Sequence, residues 1–343
     1  MIKTLHVHGK TGDSAILVGE TLSNLAHHIP DEKVVLITDT DIWRLYQMSF
    51  PKRETIVIGT GEDVKTLDTV RYIYEKLMAL EADRSTFLVG IGGGVVCDIT
   101  GFVASTYLRG LKFGFVATTL LAQVDASVGG KNGVNVGGYK NMVGVFNQPE
   151  FVICDMNLLT TLPKKEILSG FGEIVKHAVI GDSKMFEYLE KNSRAAMELD
   201  SEAIIRLVYD SVTLKSAIVT RDEKEGGERR KLNFGHTFGH AIEKTTGISH
   251  GEAVSAGMAA ASRLSVQKGL LAESDEKRIT ALLNKLKLPT GFEGDSKILL
   301  DALRKDKKRK GDAIYFVLLC GIGNAMVQEL PLIEIELAVE TLF

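Results

Sequence analysis

Three of the eight histidines fall within LNFGHTFGHAIEKTTGISHGE, residues 232–252. His236 and His240 stand four apart, so on a helix both rings leave from one face. His250 follows a break at Gly247, near enough to fold back on them. Imidazole is a common metal ligand, and two imidazoles with a carboxylate leave a position open for a reacting group. An HxxxH pair can equally pack or face water, since it lacks the glutamate of HExxH. A carboxylate stands upstream. GFGEIVKHAVI (170–180) puts Glu173, Lys176 and His177 on one helical face among apolar neighbours. A glutamate facing a core costs several kcal/mol unless it is paired or metal-bound. The plain alternative is a surface Glu–Lys pair contributing about 0.3 kcal/mol.

A second set of residues suits phosphate. Apolar runs at 34–38, 55–58, 87–91, 113–117 and 151–154 alternate with helix-length segments such as 64–80 and 95–107. That alternation predicts a mainly parallel sheet with helices on its faces, whose ligands gather at the carboxyl ends of the strands. The residues there are Asp39, then Gly59-Thr60-Gly61-Glu62, then Gly92-Gly93-Gly94 with Asp98, then Thr118-Thr119. The three glycines follow a strand and open a helix, where bare N–H groups and the helix dipole receive a pyrophosphate. A plain glycine turn is the alternative; GIGGGVVCD departs from GxGxxG at Val95. Asp39 suits a ribose hydroxyl. The polar, glycine-rich stretch 123–147 retains recurrent valines, and it predicts an ordered loop carrying Asp125, Lys131, Lys140 and Asn141 towards an anionic ligand.

The elements that must carry these groups change character at about Leu158. Pro163 marks a helix start, and further helices are predicted near 201–219, 236–246, 252–268, 275–286 and 297–305. RDEKEGGERRK (221–231) and KDKKRK (305–310) read as solvated charge runs. Residues 313–319 and 325–330 flank GIGN as a hairpin before a last helix. The chain of 343 residues is long enough for two cores, here an α/β domain at 1–157 and a mostly helical domain at 158–343. A formal charge of −3 gives no reason to expect nucleic acid or an anionic membrane. Three scattered cysteines suit a reducing cytoplasm, and MIKTLHVHGK reads as a strand rather than a signal or membrane segment.

GGGVVCD, TTLLAQVDASVGGK, YKN, GFGEIVK, RDEKEGGERRKLNFGHTFGHA, HGE and DKK occur in this order. With them the sequence resembles the 3-dehydroquinate synthase family from about residue 34 to 330. The resemblance implies a dehydroquinate synthase-like fold: an N-terminal Rossmann-like α/β domain that binds NAD, and a mostly α-helical C-terminal domain, with the active site in the cleft between them. It implies conversion of 3-deoxy-D-arabino-heptulosonate 7-phosphate to 3-dehydroquinate with loss of phosphate in the shikimate pathway. Zinc or cobalt takes part, and the NAD is regenerated each turnover. The metal ligands of the family match Glu173, His236 and His250, and His240 serves the substrate phosphate instead.

Cofactor positions match Asp39, Glu62, Lys65, Gly93, Gly94, Asp98, Thr118, Thr119, Lys131, Lys140, Leu158 and Thr161. Substrate and catalytic positions match Asp125, Lys131, Asn141, Lys176, Lys215, Arg229, Asn233, His240 and Lys307. Arg109 is expected to reach in from the neighbouring subunit of a homodimer. The sequence departs from the family pattern at Asp41, Cys97, Asn132 and Tyr139, none of which removes a charged site residue. Three rival readings differ in chemistry. A related sugar-phosphate cyclase would not need Arg229, Asn233 and His240 for a substrate carboxylate. A polyol dehydrogenase would not need so many phosphate-binding lysines, and a non-catalytic NAD-binding regulator would not need the metal constellation.

Overall fold

The computed structural model describes residues 2–292, 294, 296–304, 309–310 and 313–342. The chain divides into two compact units, Met1–Leu162 with Lys215–Glu223, and Pro163–Leu214 with Lys224–Phe343. In the first, β1 (Lys3–Gly9) and β2 (Gly12–Val18) precede β3 (Val34–Asp39), α1 (Thr40–Tyr46), β4 (Glu54–Ile58) and α2 (Leu67–Ala79). Then come β5 (Phe87–Gly92), α3 (Gly94–Thr106), β6 (Phe113–Ala117), β7 (Lys131–Val136), β8 (Tyr139–Phe146) and β9 (Phe151–Cys154). Seven of these strands form one sheet in the order β1-β2-β9-β6-β5-β3-β4. Only β1 and β2 pair antiparallel; the other neighbours are parallel.

The five apolar runs of the sequence are thus β3, β4, β5, β6 and β9. Strands β5, β6 and β9 are buried along their whole length, as a parallel sheet covered on both faces requires. Leu25, Leu36, Val89, Val116 and Ile153 pack in one cluster that also takes in Leu158. The segment expected to be helical from residue 64 begins at Leu67. Glu62–Val64 is instead a short 3-10 turn, and Thr66 caps α2 by accepting from the Thr69 N–H. The stretch read as an ordered loop is corrected: after a turn at Ala122–Ala126 it forms the β7–β8 hairpin. Gly137 and Gly138, at φ +60° and +78°, give the backbone that a tight two-residue hairpin turn needs.

The second unit holds α4 (Lys164–Gly181), α5 (Ser183–Met197), most of α6 (Ser201–Arg221), α7 (His236–Thr246), α8 (His250–Gln267), α9 (Glu273–Lys285) and α10 (Ser296–Arg304). It ends in a small antiparallel sheet, β10 (Arg309–Lys310), β11 (Ala313–Gly321) and β12 (Asn324–Pro331), and in α11 (Leu332–Leu342). Helix α8 is rich in alanine, serine and glycine, and most of it is buried, because small side chains let its neighbours approach closely. The charge run at 221–231 is solvated only in part, with Arg221, Lys224, Gly226 and Gly227 exposed. Glu223 and Arg229 are only 6% and 2% exposed, and Glu228–Asn233 forms a 3-10 turn. Of the second charge run, 305–308 lie outside the described residues. Among the described residues no helix is long and apolar enough to cross a membrane.

Candidate active site

Helices α7 and α8 meet backbone against backbone. A Cβ on Gly257 would stand 2.1 Å from the Gly235 carbonyl oxygen, so no larger residue fits. Gly235, at φ +75°, turns the chain into α7 so that His236 is its first residue. Helix α8 starts at His250 because Ser249 and Glu252 form a capping box. Against α4 the approach is as close: a Cβ on Gly251 would lie 2.3 Å from Ser169 Cα, and one on Gly172 2.8 Å from the Gly251 carbonyl oxygen. Gly172 precedes Glu173 and Gly251 follows His250, so these contacts set how near that carboxylate and that ring can come.

The result is a compact cluster. The His236 ring centroid lies 5.3 Å from that of His240 and 5.3 Å from that of His250. Glu173 is fully buried; its Oε1 stands 3.6 Å from His236 Nε2 and 3.4 Å from His250 Nε2, and its Oε2 pairs with the Lys176 ammonium. One donor atom each from Glu173, His236 and His250 lies within 4.8 Å of the others. His240 is outside this set and exposed, so the HxxxH pair is split between the inside and the rim. His236 Nδ1 faces the Phe234 carbonyl at 3.1 Å, which leaves Nε2 for the cluster. Burial holds the His236 imidazole well below its ordinary pKa, and Lys176 adds to this against the pull of Glu173. For His250, burial works against the charged ring, but hydrogen bonds to Glu173 and Glu243 outweigh it and bring the pKa to about 9. Glu173 and Glu243 thus set two carboxylates against this one ring, a surrounding that favours a cation there.

In the first unit the strand ends line up. Asp39 is in register with Ile58, Thr38 with Ile91, and Gly92 with Ala117. Asp39, the Gly59–Gly61 turn, Gly92–Gly94 and Thr118-Thr119 therefore share one edge of the sheet. Gly93 caps α3 with no side chain over the amides, and a Cβ there would press on Thr119 at 3.0 Å. Thr118 Oγ1 is buried without a hydrogen-bond partner among the described residues, and Thr119 Oγ1 accepts from Ala122 N at 3.1 Å. Asp39 Oδ1 accepts from the N–H groups of Asp41 and Ile42 at 3.0 and 2.9 Å, so the expected ribose acceptor also caps α1. Burial raises its pKa against those two bonds.

Lys65, buried, pairs with Asp98 and donates to Asn141 Oδ1 at 2.6 Å. Burial pushes the Asp98 carboxyl up while Lys65 opposes it. Lys215 Nζ donates to both the carbonyl and the carboxylate of Asp125 at 2.6 Å. Leu158 belongs to the core, and Thr161 Oγ1 shares a 2.5 Å hydrogen bond with the Tyr46 hydroxyl. Lys131, Lys140 and Arg109 are exposed on this unit, Arg109 in a left-handed turn with Leu108. In the second unit Arg229 is buried and Asn233 donates to Glu225. Lys307 lies outside the described residues.

Two residues that the sequence analysis passed over also belong here. Glu243, 3.3 Å from His250 Nδ1, continues the stripe of His236 and His240 at i+7 on one helix face, a signal the sequence does carry. Asn135 donates to Glu62 Oε1 at 2.8 Å from the hairpin.

Comparison with known proteins places this geometry among relatives. Residues 55–169 match the family model for the N-terminal part of 3-dehydroquinate synthase, and residues 170–309 the model for its C-terminal part. A 3-dehydroquinate synthase from Acetivibrio thermocellus is 43% identical over 297 residues, covering 83% of this chain and 82% of that protein. A 2-deoxy-scyllo-inosose synthase solved with carbaglucose-6-phosphate, NAD+ and Co2+ superposes with a TM-score of 0.90 at 26% identity, over 99% of this chain and 100% of that one. A 2-epi-5-epi-valiolone synthase from Streptomyces hygroscopicus, with NAD+ and Zn2+ bound, gives 0.88 at 27% identity over 98% of each chain.

Proposed function

Since the chain belongs to the 3-dehydroquinate synthase family, we propose that it is a phosphate-eliminating carbon–oxygen lyase. It takes 3-deoxy-D-arabino-heptulosonate 7-phosphate to 3-dehydroquinate and phosphate. The observation that carries this reading is the meeting of buried Glu173 with His236 and His250, donors within 4.8 Å of one another. One carboxylate oxygen and two imidazole nitrogens are a donor set suited to zinc or cobalt that leaves room for a substrate. The Thr118 hydroxyl, without a hydrogen-bond partner among the described residues, and the bare amides at Gly93 and Gly94 suit NAD.

When bound, the metal ion supplies a Lewis acid, and NAD supplies a hydride acceptor that returns its hydride before the cycle ends. The protein's own groups do the rest. Glu173, His236 and His250 would hold the ion, with both imidazoles neutral towards it. The α3 amides would receive the cofactor diphosphate, and Lys65 keeps the buried Asp98 carboxylate compensated. Lys131, Asn141, His240 and Lys307 orient the substrate phosphate, with Arg109 reaching in from the second protomer of a cytoplasmic homodimer. Asp125, Lys176, Lys215, Arg229 and Asn233 orient the sugar hydroxyls and carboxylate, which demand many N–H donors. With the alcohol carbon at the ketone level, the neighbouring C–H proton would pass to the substrate's own phosphate oxygen, and phosphate would leave with the C–O bonding electrons. Reduction, ring opening and intramolecular aldol closure then form the carbocycle.

The test is to incubate the purified protein with the heptulosonate phosphate, NAD and zinc. Phosphate and dehydroquinate should appear in equal amounts, NAD should be required, and free NADH should not accumulate. Glucose 6-phosphate, the ring-oxygen counterpart of the carbaglucose-6-phosphate bound to the inosose synthase relative, should release none. Stoichiometric free NADH without phosphate would instead establish a polyol dehydrogenase.

A further inference from the structure

We propose that Asn135 is a positioning residue that ties the Glu62–Lys65 segment to Asn141, so that one side chain sets NAD affinity and sugar-phosphate affinity together. The pairing of β7 with β8 shifts register between Val134 and Val136: Val134 faces Val143 and Val136 faces Tyr139, so the single residue Asn135 stands opposite the bulged stretch Lys140, Asn141 and Met142 of β8. Bulges re-aim a side chain out of the regular alternation of a strand. Here the bulge turns Asn141 onto Asn135, which makes contacts in three directions. Its N–H donates to the Lys65 carbonyl at 2.8 Å, and it bridges to Thr66. Its Nδ2 donates to Glu62 Oε1 at 2.8 Å. Its Oδ1 accepts from the Asn141 N–H at 2.8 Å.

Asn141 needs that acceptor. Its φ is +52°, the left-handed region that asparagine tolerates better than most side chains but does not prefer. Its own side chain is turned towards Lys65, whose ammonium donates to Oδ1 at 2.6 Å and pairs with Asp98. The contacts close a ring: Asn135 to the Lys65 backbone, the Lys65 side chain to Asn141, and the Asn141 backbone to Asn135. Glu62 hangs on the same ring through the Asn135 amide. Only a side chain with a donor and an acceptor on one planar group serves Glu62 and Asn141 at once. Aspartate keeps the acceptor but sets a carboxylate against a carboxylate, and alanine keeps neither.

This inference rests on the reading above, in which Glu62 and Lys65 serve NAD and Asn141 serves the substrate. The test uses the full-length zinc-loaded protein, with NAD Kd measured by titration and KM for the heptulosonate phosphate measured at saturating NAD. Melting temperature is followed for each variant. Asn135→Ala should raise both constants about tenfold, the usual cost of losing a hydrogen bond to a charged group, with a melting temperature close to the parent's. Asn135→Asp should raise the NAD Kd at least as much but leave the sugar-phosphate KM within about threefold, since Asn141 retains its acceptor. An alanine variant that moves neither constant, or only one, overturns the coupling. Should the alanine variant not fold, the aspartate variant decides. A split between its two constants supports the proposal, and equal effects or none overturn it. Glu62→Ala and Asn141→Ala separate this from the underlying reading. If Glu62→Ala binds NAD normally, or Asn141→Ala leaves the sugar-phosphate KM unchanged, those roles fail whatever Asn135 does.

Discussion

Gly251→Ala asks whether the contact between α4 and α8 sets the geometry of the carboxylate–imidazole cluster. The added methyl would stand 2.3 Å from Ser169 Cα, 2.4 Å from its carbonyl oxygen and 2.7 Å from its carbonyl carbon, all backbone atoms that cannot rotate away. Reaching ordinary van der Waals separation requires α8 to retreat from α4 by about 1 Å, an overpacking change that costs about 1–3 kcal/mol. At about 2–4 °C per kcal/mol for a domain of this size, melting should fall by a few degrees to about 10 °C. The larger effect should be on metal. His250 is the first residue of α8, next to the new methyl, and its Nε2 is 3.4 Å from Glu173 Oε1. Metal–ligand distances tolerate about 0.2 Å, so a 1 Å retreat should weaken zinc about 10–100-fold. Zinc per chain is measured by mass spectrometry after dialysis against a graded chelator series. Gly114→Ala is the control: its Cβ would meet the Phe151 ring at 2.5 Å in the other unit, so it should lower melting yet keep zinc. A Gly251→Ala protein that holds zinc as tightly as the parent would refute the reasoning.

The split of the two α7 histidines gives a second outcome. His236→Ala should lose zinc, whereas His240→Ala should keep it and raise the KM for the phosphate-bearing substrate about tenfold, a charge-assisted contact's worth; zinc loss in both would put His240 among the ligands. A third concerns acid. Burial alone would raise the Glu223 pKa, but hydrogen bonds from Thr11, Gln148 and the Lys10 N–H outweigh it and hold the carboxyl below its usual range. A depressed folded pKa gives stability that is complete above the unfolded value, about 4.3, and lost as pH falls through the lower folded one. Urea midpoints of the parent and Glu223→Gln should therefore differ at pH 7 and converge below about pH 4; a gap independent of pH would contradict this.

The buried strands were the most legible part of the chain. Val34, Phe87, Phe113 and Phe151 open apolar runs that a two-sided parallel sheet demands, and Phe113–Ala117 and Phe151–Cys154 emerge with the expected bounds. The β7–β8 hairpin was hidden by composition. Lysines and asparagines on both strands argue for loop, while the Gly137-Gly138 turn between Val136 and Tyr139 was the overlooked hairpin signal. The expectation of solvent around 221–231 holds for Arg221 and Lys224 but not for Glu223 and Arg229, because charge density says nothing about pairing. Glu223 finds three donors in residues more than seventy positions away, which no local reading can supply. The metal-ligating chemistry was visible in residue types, since Glu173, His236 and His250 are the donors expected. Their nearness was not, because it depends on Gly172, Gly251 and Gly257 facing other backbones, and a glycine in sequence does not say what it faces.

The membership of Lys215–Glu223 in the first unit has a consequence for how the chain is born. A ribosome delivers residues 1–162 well before it delivers 215–223, with all of 163–214 made in between. Until then Asp125 lacks Lys215, and the turn at Lys10 and Thr11 lacks Glu223, a partner 213 and 212 positions away. Contacts so distant in sequence close late, after the entropy of a very long loop has been lost. The first unit thus waits for 163–214, a stretch of the other unit, before its own last segment arrives. A nascent chain halted at residue 162 should be less protected from protease than the same residues in the released protein, and a peptide spanning 215–223 supplied in trans should restore part of that protection.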